Sequence, residues 1–173
     1  MEIGLLLLRL AAGLTLAAHG AQKLFGWFGG PGLDGTGQFF AMIGFPPGRR
    51  HALMAALAET GGGLLLALGL ATPLAAAAII SVMLVSIFTV HIKKGFFGQN
   101  GGYEYNLLLT VSGLTLAFTG PGSLSFDAQL GHSYSGPVGG LASLLVGVVG
   151  AGTALLERRQ VTAQQPSAVK ESH

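Results

Sequence analysis

The chain has no cysteine. It can form no disulfide, and it offers neither a thiolate nucleophile nor a thiolate metal ligand. Any redox chemistry it takes part in must run on something other than its own sulfur. Charge is scarce as well, at 9% of 173 residues, where a soluble domain carries roughly 25%. That is too little to coat a surface facing water. The glycine-rich "GGPGLDGTG" lacks the Lys-Ser/Thr ending of a phosphate-binding loop. There is no nucleophile elbow, and no grouping of histidines and carboxylates reads as a metal site. What the chain does have is apolar bulk: half its residues are hydrophobic and the mean hydropathy is +0.62. These values define an all-α integral membrane protein of one bundle, with the lipid bilayer as its first partner. The 29 glycines favour close helix contact in a bilayer, because small residues let backbones approach.

A spanning helix needs about 20 mostly apolar residues. Five segments reach or approach that length. They are 3–25, interrupted by Arg9; 52–70, interrupted by Glu59; 74–92; a short one at 105–118; and 138–156. The first lacks the positive charge that precedes the apolar core of a signal peptide, so it is expected to stay as a helix. Residues 1–126 form a four-helix core, 127–156 a loop and a fifth C-terminal transmembrane helix, and 157–173 a polar tail expected to be disordered.

Charge tests this count. With five spans, one side carries no basic residue. The other carries eight: Lys23, Arg49, Arg50, Lys93, Lys94, Arg158, Arg159 and Lys170. Basic residues favour the cytoplasmic side, so the N-terminus is expected outside and the C-terminus in the cytoplasm. This also accounts for the pI near 9.2 without a nucleic-acid partner.

Two loops on that side are unusual. Residues 26–50 are rich in Gly and Pro, which rules out one long helix. Yet "FFAMIGF" is too apolar to float in water, and a short interfacial helix over 36–45, ended by Pro46-Pro47, is expected. The second loop, "KKGFFGQNGGYEYN", repeats the basic pair, the aromatics and the glycines. Both loops are expected to cover one site.

Ionisable groups inside a membrane are costly and usually face the bundle interior in pairs. Arg9, His19 and Lys23 fall within about an 80° sector of the first helix. By depth, His19, Lys23, His91 and Glu104 gather near the cytoplasmic surface, while Arg9 and Glu59 lie further in as a structural pair. The candidate catalytic set is His19, His91 and Glu104. The candidate binding set is Lys23, Trp27, Tyr103, Tyr105 and Asn106. Each has an ordinary alternative. Lys23 is a snorkelling topology marker, Trp27 and Tyr103 are interfacial belt residues, and Asn106 is a helix cap.

Four stretches in order, "LLLRLAAGLTLAAHGAQKLFGWFGGPG", "LAETGGGLLLALGLATPLAA", "FTVHIKKGFF" and "GGYEYNLLL", closely resemble the DoxX family of small bacterial membrane proteins. The resemblance covers about residues 3–126. It implies a four-helix membrane bundle in the bacterial cell membrane and carries over Arg9, His19, Lys23, Glu59, His91, Glu104 and Asn106 as motif positions. Relatives act as membrane subunits of a thiosulfate:quinone oxidoreductase, and others are associated with sulfur metabolism and oxidative-stress defence. The segment at 138–156 goes beyond that core. The resemblance therefore implies a redox membrane subunit with quinone as the candidate cofactor. The alternative is a non-catalytic anchor for a soluble oxidoreductase on the cytoplasmic side, with a homo-oligomer also open. A small transporter ranks third, since no inverted repeat is apparent.

Overall fold

The computed structural model describes residues 1–170, with side chains through Gln160. Its helices are α1 (Glu2–Phe25), α2 (Gly32–Met42), α3 (Gly48–Leu68), α4 (Thr72–Ser86), α5 (Glu104–Thr119), the short α6 (Phe126–Gln129) and α7 (Pro137–Lys170). Among the described residues there is no strand. A π turn at Ile87–His91 and a 3-10 turn at Ile92–Lys94 prolong α4, so that Thr72–Lys94 is one apolar helical run.

Four helical runs are long and apolar enough to cross a membrane: Glu2–Phe25, Gly48–Leu68, Thr72–Lys94 and Pro137–Gln160. The C-terminal segment is therefore one of the four. Helix α5 has 16 residues, or about 24 Å at a rise of 1.5 Å per residue, short of a bilayer core of about 30 Å. It still runs from one end of the bundle to the other. Its first turn meets the loop after α4, where the Gly98 N–H donates to Glu104 at 2.8 Å. Its last turn lies where α7 begins, with Phe118 against Gly140.

Glycine sets the tightest contact. Helices α1 and α3 run antiparallel and pack more closely than any other pair. A Cβ added at Gly13 would stand 2.5 Å from the Gly63 carbonyl oxygen, so the two backbones touch there as small-residue crossings do. The "ETGGG" run is thus a packing face inside a helix. Helix α3 stops at Gly69, which adopts φ +63° and lets the Leu70 N–H reach back to Leu65 O at 2.9 Å. This is the left-handed ending that a residue without Cβ favours. Helix α7 runs parallel to α4: Ser143 donates to Pro73 O at 3.0 Å and Gly147 faces Ile80. The core of Leu16, Leu66, Ile79 and Leu116 is nearly sealed, while large apolar side chains such as Leu7, Leu14, Leu108 and Leu145 face outward, where lipid would lie.

Two sequence expectations are corrected. The interfacial helix starts at Gly32 and ends at Met42, earlier than 36–45. The chain turns at Gly44, with φ +93°, before the prolines are reached. The polar tail expected to be disordered continues as helix to Lys170. Glu157, Arg158, Arg159 and Gln160 are good helix formers, and Arg158 Nε donates to Ile43 O at 2.7 Å. The last part of that tail, 171–173, lies outside the described residues.

Candidate functional site

The bundle borders a half-open cavity of about 490 Å³. Helix α3 presents His51, Met54, Ala55, Ala58 and Glu59 to it, an i, i+3, i+4, i+7, i+8 stripe on one helical face. Phe39, Phe40, Ile43 and Phe45, from α2 and the turn after it, close one side. Ser81, Val82, Val85 and Ser86 of α4 line the facing wall, joined by Gly150 and Ala154 of α7. The π turn adds Thr89, Val90 and His91. Such wide turns occur often at functional sites. Here the Thr89 hydroxyl donates to Val85 O at 2.7 Å.

One ion pair stands on the wall: Lys23 Nζ with Glu59 Oε2. The Glu59 side chain is 6% exposed and that of Lys23 is 25% exposed. Lys23 also reaches the His19 carbonyl oxygen at 3.4 Å. The expected pairing of Glu59 with Arg9 is corrected. In the antiparallel register Gly20 packs against Ala56 and Thr60, and Gly13 against Gly63 and Ala67. Glu59 therefore lies level with the last turns of α1. Arg9 is 14 residues before Lys23, about 21 Å away along the helix.

Arg9 belongs to a second polar cluster, at the opposite end. It is 1% exposed, donates to the Leu124 carbonyl oxygen and feels the charge of Asp127. Buried Asp127 accepts from Ala71 N at 2.7 Å, from Thr72 N at 2.9 Å and from the Thr72 hydroxyl at 2.7 Å. Its carboxylate thereby caps the start of α4 from the short helix α6, distant in sequence.

The other sequence candidates separate. Lys23 and His91 line the cavity. The Nδ1 of His91 is 2.6 Å from Gly101 O, which leaves Nε2 for another partner. His19 is exposed and does not line the cavity; its ring lies 5.7 Å from that of Tyr105. Glu104 is exposed and holds the 95–103 loop through Gly98. Tyr103 packs edge-on against Phe96 at 5.5 Å, and Trp27 is exposed against Phe25 at 4.9 Å. Asn106 is buried and donates to Met83 Sδ at 3.5 Å. The two loops do not share the site as expected, because only the first contributes lining residues. Sequence reasoning missed His51, Ser81, Ser86 and Thr89 on the wall. His51 was legible from its 3.6-residue phase with Glu59. The other three carry no signal that sets them apart from helix-packing hydroxyls.

Membrane-length helices around an apolar cavity with an ion pair in its wall define a multi-pass membrane protein with an interior site of ligand size. The chain belongs to the DoxX family, which it matches over residues 4–92. It is also 37% identical over 126 residues, 73% of this chain and 86% of the relative, to a protein of Bacillus subtilis (strain 168) provisionally named oxidoreductase CatD. No solved structure matches the chain.

Proposed function

We propose that the chain is the integral membrane subunit of a redox system and that it binds a quinone in the cavity beside Lys23 and Glu59. The observation that carries this reading is the cavity itself. It has aromatic and aliphatic walls from Phe39, Phe40, Met54 and Val82, with Lys23, Ser86 and His91 among its polar groups. A quinone ring is apolar on both faces and accepts hydrogen bonds at two carbonyl oxygens, so this donor set fits it. When bound, the quinone supplies two-electron, two-proton chemistry, with electrons drawn from thiosulfate, a related sulfur compound or a soluble oxidoreductase partner. Lys23 would donate to one carbonyl oxygen, and Glu59 holds the ammonium in place and balances its charge. His91 offers Nε2 as a second polar contact, oriented by Gly101. The relative's name supports a redox role. The basic residues gathered at the α2 end support a cytoplasmic placement of that end in the bacterial cell membrane.

Saturable binding of a quinone to the purified protein in lipid is the test, with thiosulfate added as donor. Lys23→Met should weaken binding at least tenfold. No saturable binding in the wild type would sink the reading. A second role, a non-catalytic anchor or assembly subunit, is favoured by exposed Phe96 and Phe97 beside Lys93 and Lys94. That surface would dock a soluble oxidoreductase, and Lys23→Met would then leave function intact. A second copy of the chain is a further candidate partner, readable from the mass of the complex in lipid.

A further inference from the structure

A smaller cavity of about 210 Å³ adjoins the first, and the two meet at Phe45 and His51, which line both. Their chemistry differs. The large one is half open and mostly apolar, and it follows α3 from His51 to Glu59, about 12 Å at the helical rise. One leaflet contributes about 15 Å to a bilayer core of about 30 Å, so the cavity is about as deep as a leaflet. The small one is polar: Arg50 of α3 faces Glu157, Arg158 and Gln160 of α7 across the Pro46-Pro47 turn. Arg50 precedes the apolar stretch of α3, and 157–160 follow that of α7, so this pocket lies at head-group depth. Two arginines stand there against one carboxylate. Arg158 is held at the wall by its Nε bond to Ile43 O at 2.7 Å and by the Phe45 ring, 5.9 Å away. Helix α3 starts at Gly48 without a side-chain cap, because Pro47 before it has none to offer. Pro47 lines the same pocket, which brings the positive end of the helix dipole to it.

We propose that the two cavities together seat one anionic phospholipid, with its phosphate in the small pocket and an acyl chain in the large cavity. A phosphodiester is a compact anion with oxygens that accept charge-assisted hydrogen bonds. Between Arg50 and Arg158 it meets net positive charge, and before α3 it meets the end of a helix that favours anions. Gln160 contributes a neutral amide donor. Basic pockets between helices at the membrane surface take lipid head groups by this chemistry. The acyl chain follows from the way the cavities adjoin. A molecule anchored by its phosphate has its glycerol at Phe45 and His51, and its chain then runs past Met54 and Ala58 on the apolar side. A soluble oxyanion would use the small pocket and leave the large one empty. The lipid goes beyond the quinone reading and does not depend on it. A quinone bound beside Lys23 would push the chain out of the deep end and leave the head group seated.

The test is lipid retention by the full chain in detergent, without quinone, read by native mass spectrometry. The probes are phosphatidylglycerol and phosphatidylcholine with identical chains. One phosphatidylglycerol should bind at least tenfold more tightly than phosphatidylcholine. Arg50 is exposed, so Arg50→Gln keeps the fold. It should weaken phosphatidylglycerol by about fivefold or more, the worth of one basic group at an anionic lipid surface, and leave phosphatidylcholine unchanged. Arg159→Gln removes an exposed charge at the same end that lines neither cavity, and should stay within twofold. Ala58→Phe narrows the chain's seat and should also weaken phosphatidylglycerol at least fivefold. Equal binding of the two lipids, or equal losses in the two arginine variants, would mean diffuse charge attraction and would overturn the site. Displacement of the lipid by glycerol 3-phosphate at similar concentration would make the pocket a soluble-anion site, and unchanged binding in Ala58→Phe would remove the chain; either overturns the proposal. Should Ala58→Phe fail to fold, phosphatidylglycerol with six-carbon chains decides in its place, and it should bind at least tenfold more weakly. Quinone titration of the same samples reports separately on the quinone reading.

Discussion

At one end of the bundle Asp127 engages both carboxylate oxygens with the first residues of α4, and Arg9 reaches the Leu124 carbonyl beside it. At the other end Glu59 has one charged partner, Lys23, and both side chains border a cavity. Each cluster places a carboxylate and a cation among apolar helices, yet the surroundings differ. Around Asp127 the acceptors are matched by backbone and hydroxyl donors, so the carboxylate works as a clamp between α6 and the start of α4, while Arg9 Nε and Nη1 nearby are buried without a hydrogen-bond partner. Beside Glu59 the wall is open to about 490 Å³ of space, and the pair can exchange a partner for a ligand without unfolding anything. A buried charge that is saturated by its own chain is structural. One that borders a ligand-sized void is available for chemistry.

The sharpest way to break this contrast is to remove one partner at each end. Asp127→Ala should be the most damaging single change in the chain. It strips three donors of their acceptor and leaves the Arg9 charge buried without its counter-charge. A loss of about 3–5 kcal/mol is expected for three buried donors left without their charged acceptor, read as a large fall in the thermal midpoint in detergent. The fraction that still folds should bind quinone normally. A midpoint within about 2 °C of wild type, a shift of no more than about 0.5–1 kcal/mol for a domain of this size, would show that the Asp127 cluster is not the clamp described. The paired change Lys23→Met with Glu59→Met should behave the opposite way. Replacing both members of a buried pair with neutral groups of similar volume is often close to neutral for stability. Binding in the cavity should fall at least tenfold, about 1.4 kcal/mol, while the midpoint stays near that of wild type.

The fold was largely legible because its signals are long. Runs of about 20 apolar residues, a one-sided charge distribution and Gly-Pro punctuation each act over whole segments, so the helices around 3–25 and 138–156 could be read directly. Helical phase also placed Arg9, His19 and Lys23 on one inward edge of α1; Arg9 and Lys23 do turn inward, while His19 is exposed. What phase along a single helix cannot supply is the register between helices. Whether Glu59 meets Arg9 or Lys23 depends on where α1 crosses α3, and that crossing is set by Gly13 against Gly63, a contact between two distant glycines. Asp127 was missed for a related reason. It sits in a polar stretch too short to show periodicity, and its role appears only when the short helix α6 folds back onto the start of α4. The gathering of four polar groups at one level was half right: Lys23 and His91 share the cavity, but a level is a disc, and His19 and Glu104 lie on its rim.

Glu104 offers a finer comparison at the Glu59 end of the bundle. Its carboxylate is exposed and accepts one hydrogen bond, from Gly98 N. Glu104→Gln keeps an acceptor at the same place, so the stability loss should stay below about 1 kcal/mol. Faster amide exchange confined to residues 95–103 would be the visible effect, with quinone affinity unchanged.

The smallest effect belongs to His19, the residue that looked most chemical in the sequence. Its ring is exposed, packs against Tyr105 and takes no part in the cavity wall. Its backbone carbonyl accepts from Lys23 at 3.4 Å, its ring reaches Glu59 only through its charge, and an alanine there keeps the carbonyl. His19→Ala should therefore change quinone affinity by less than about twofold, below 0.4 kcal/mol. The paired measurement is Lys23→Met in the same lipid. A tenfold loss in both variants would mean that the ligand reaches Glu59 from the α1–α5 side, past the His19 and Tyr105 rings. The boundary between the two polar groups of the inner end would then have to be redrawn around Glu59 rather than around the cavity.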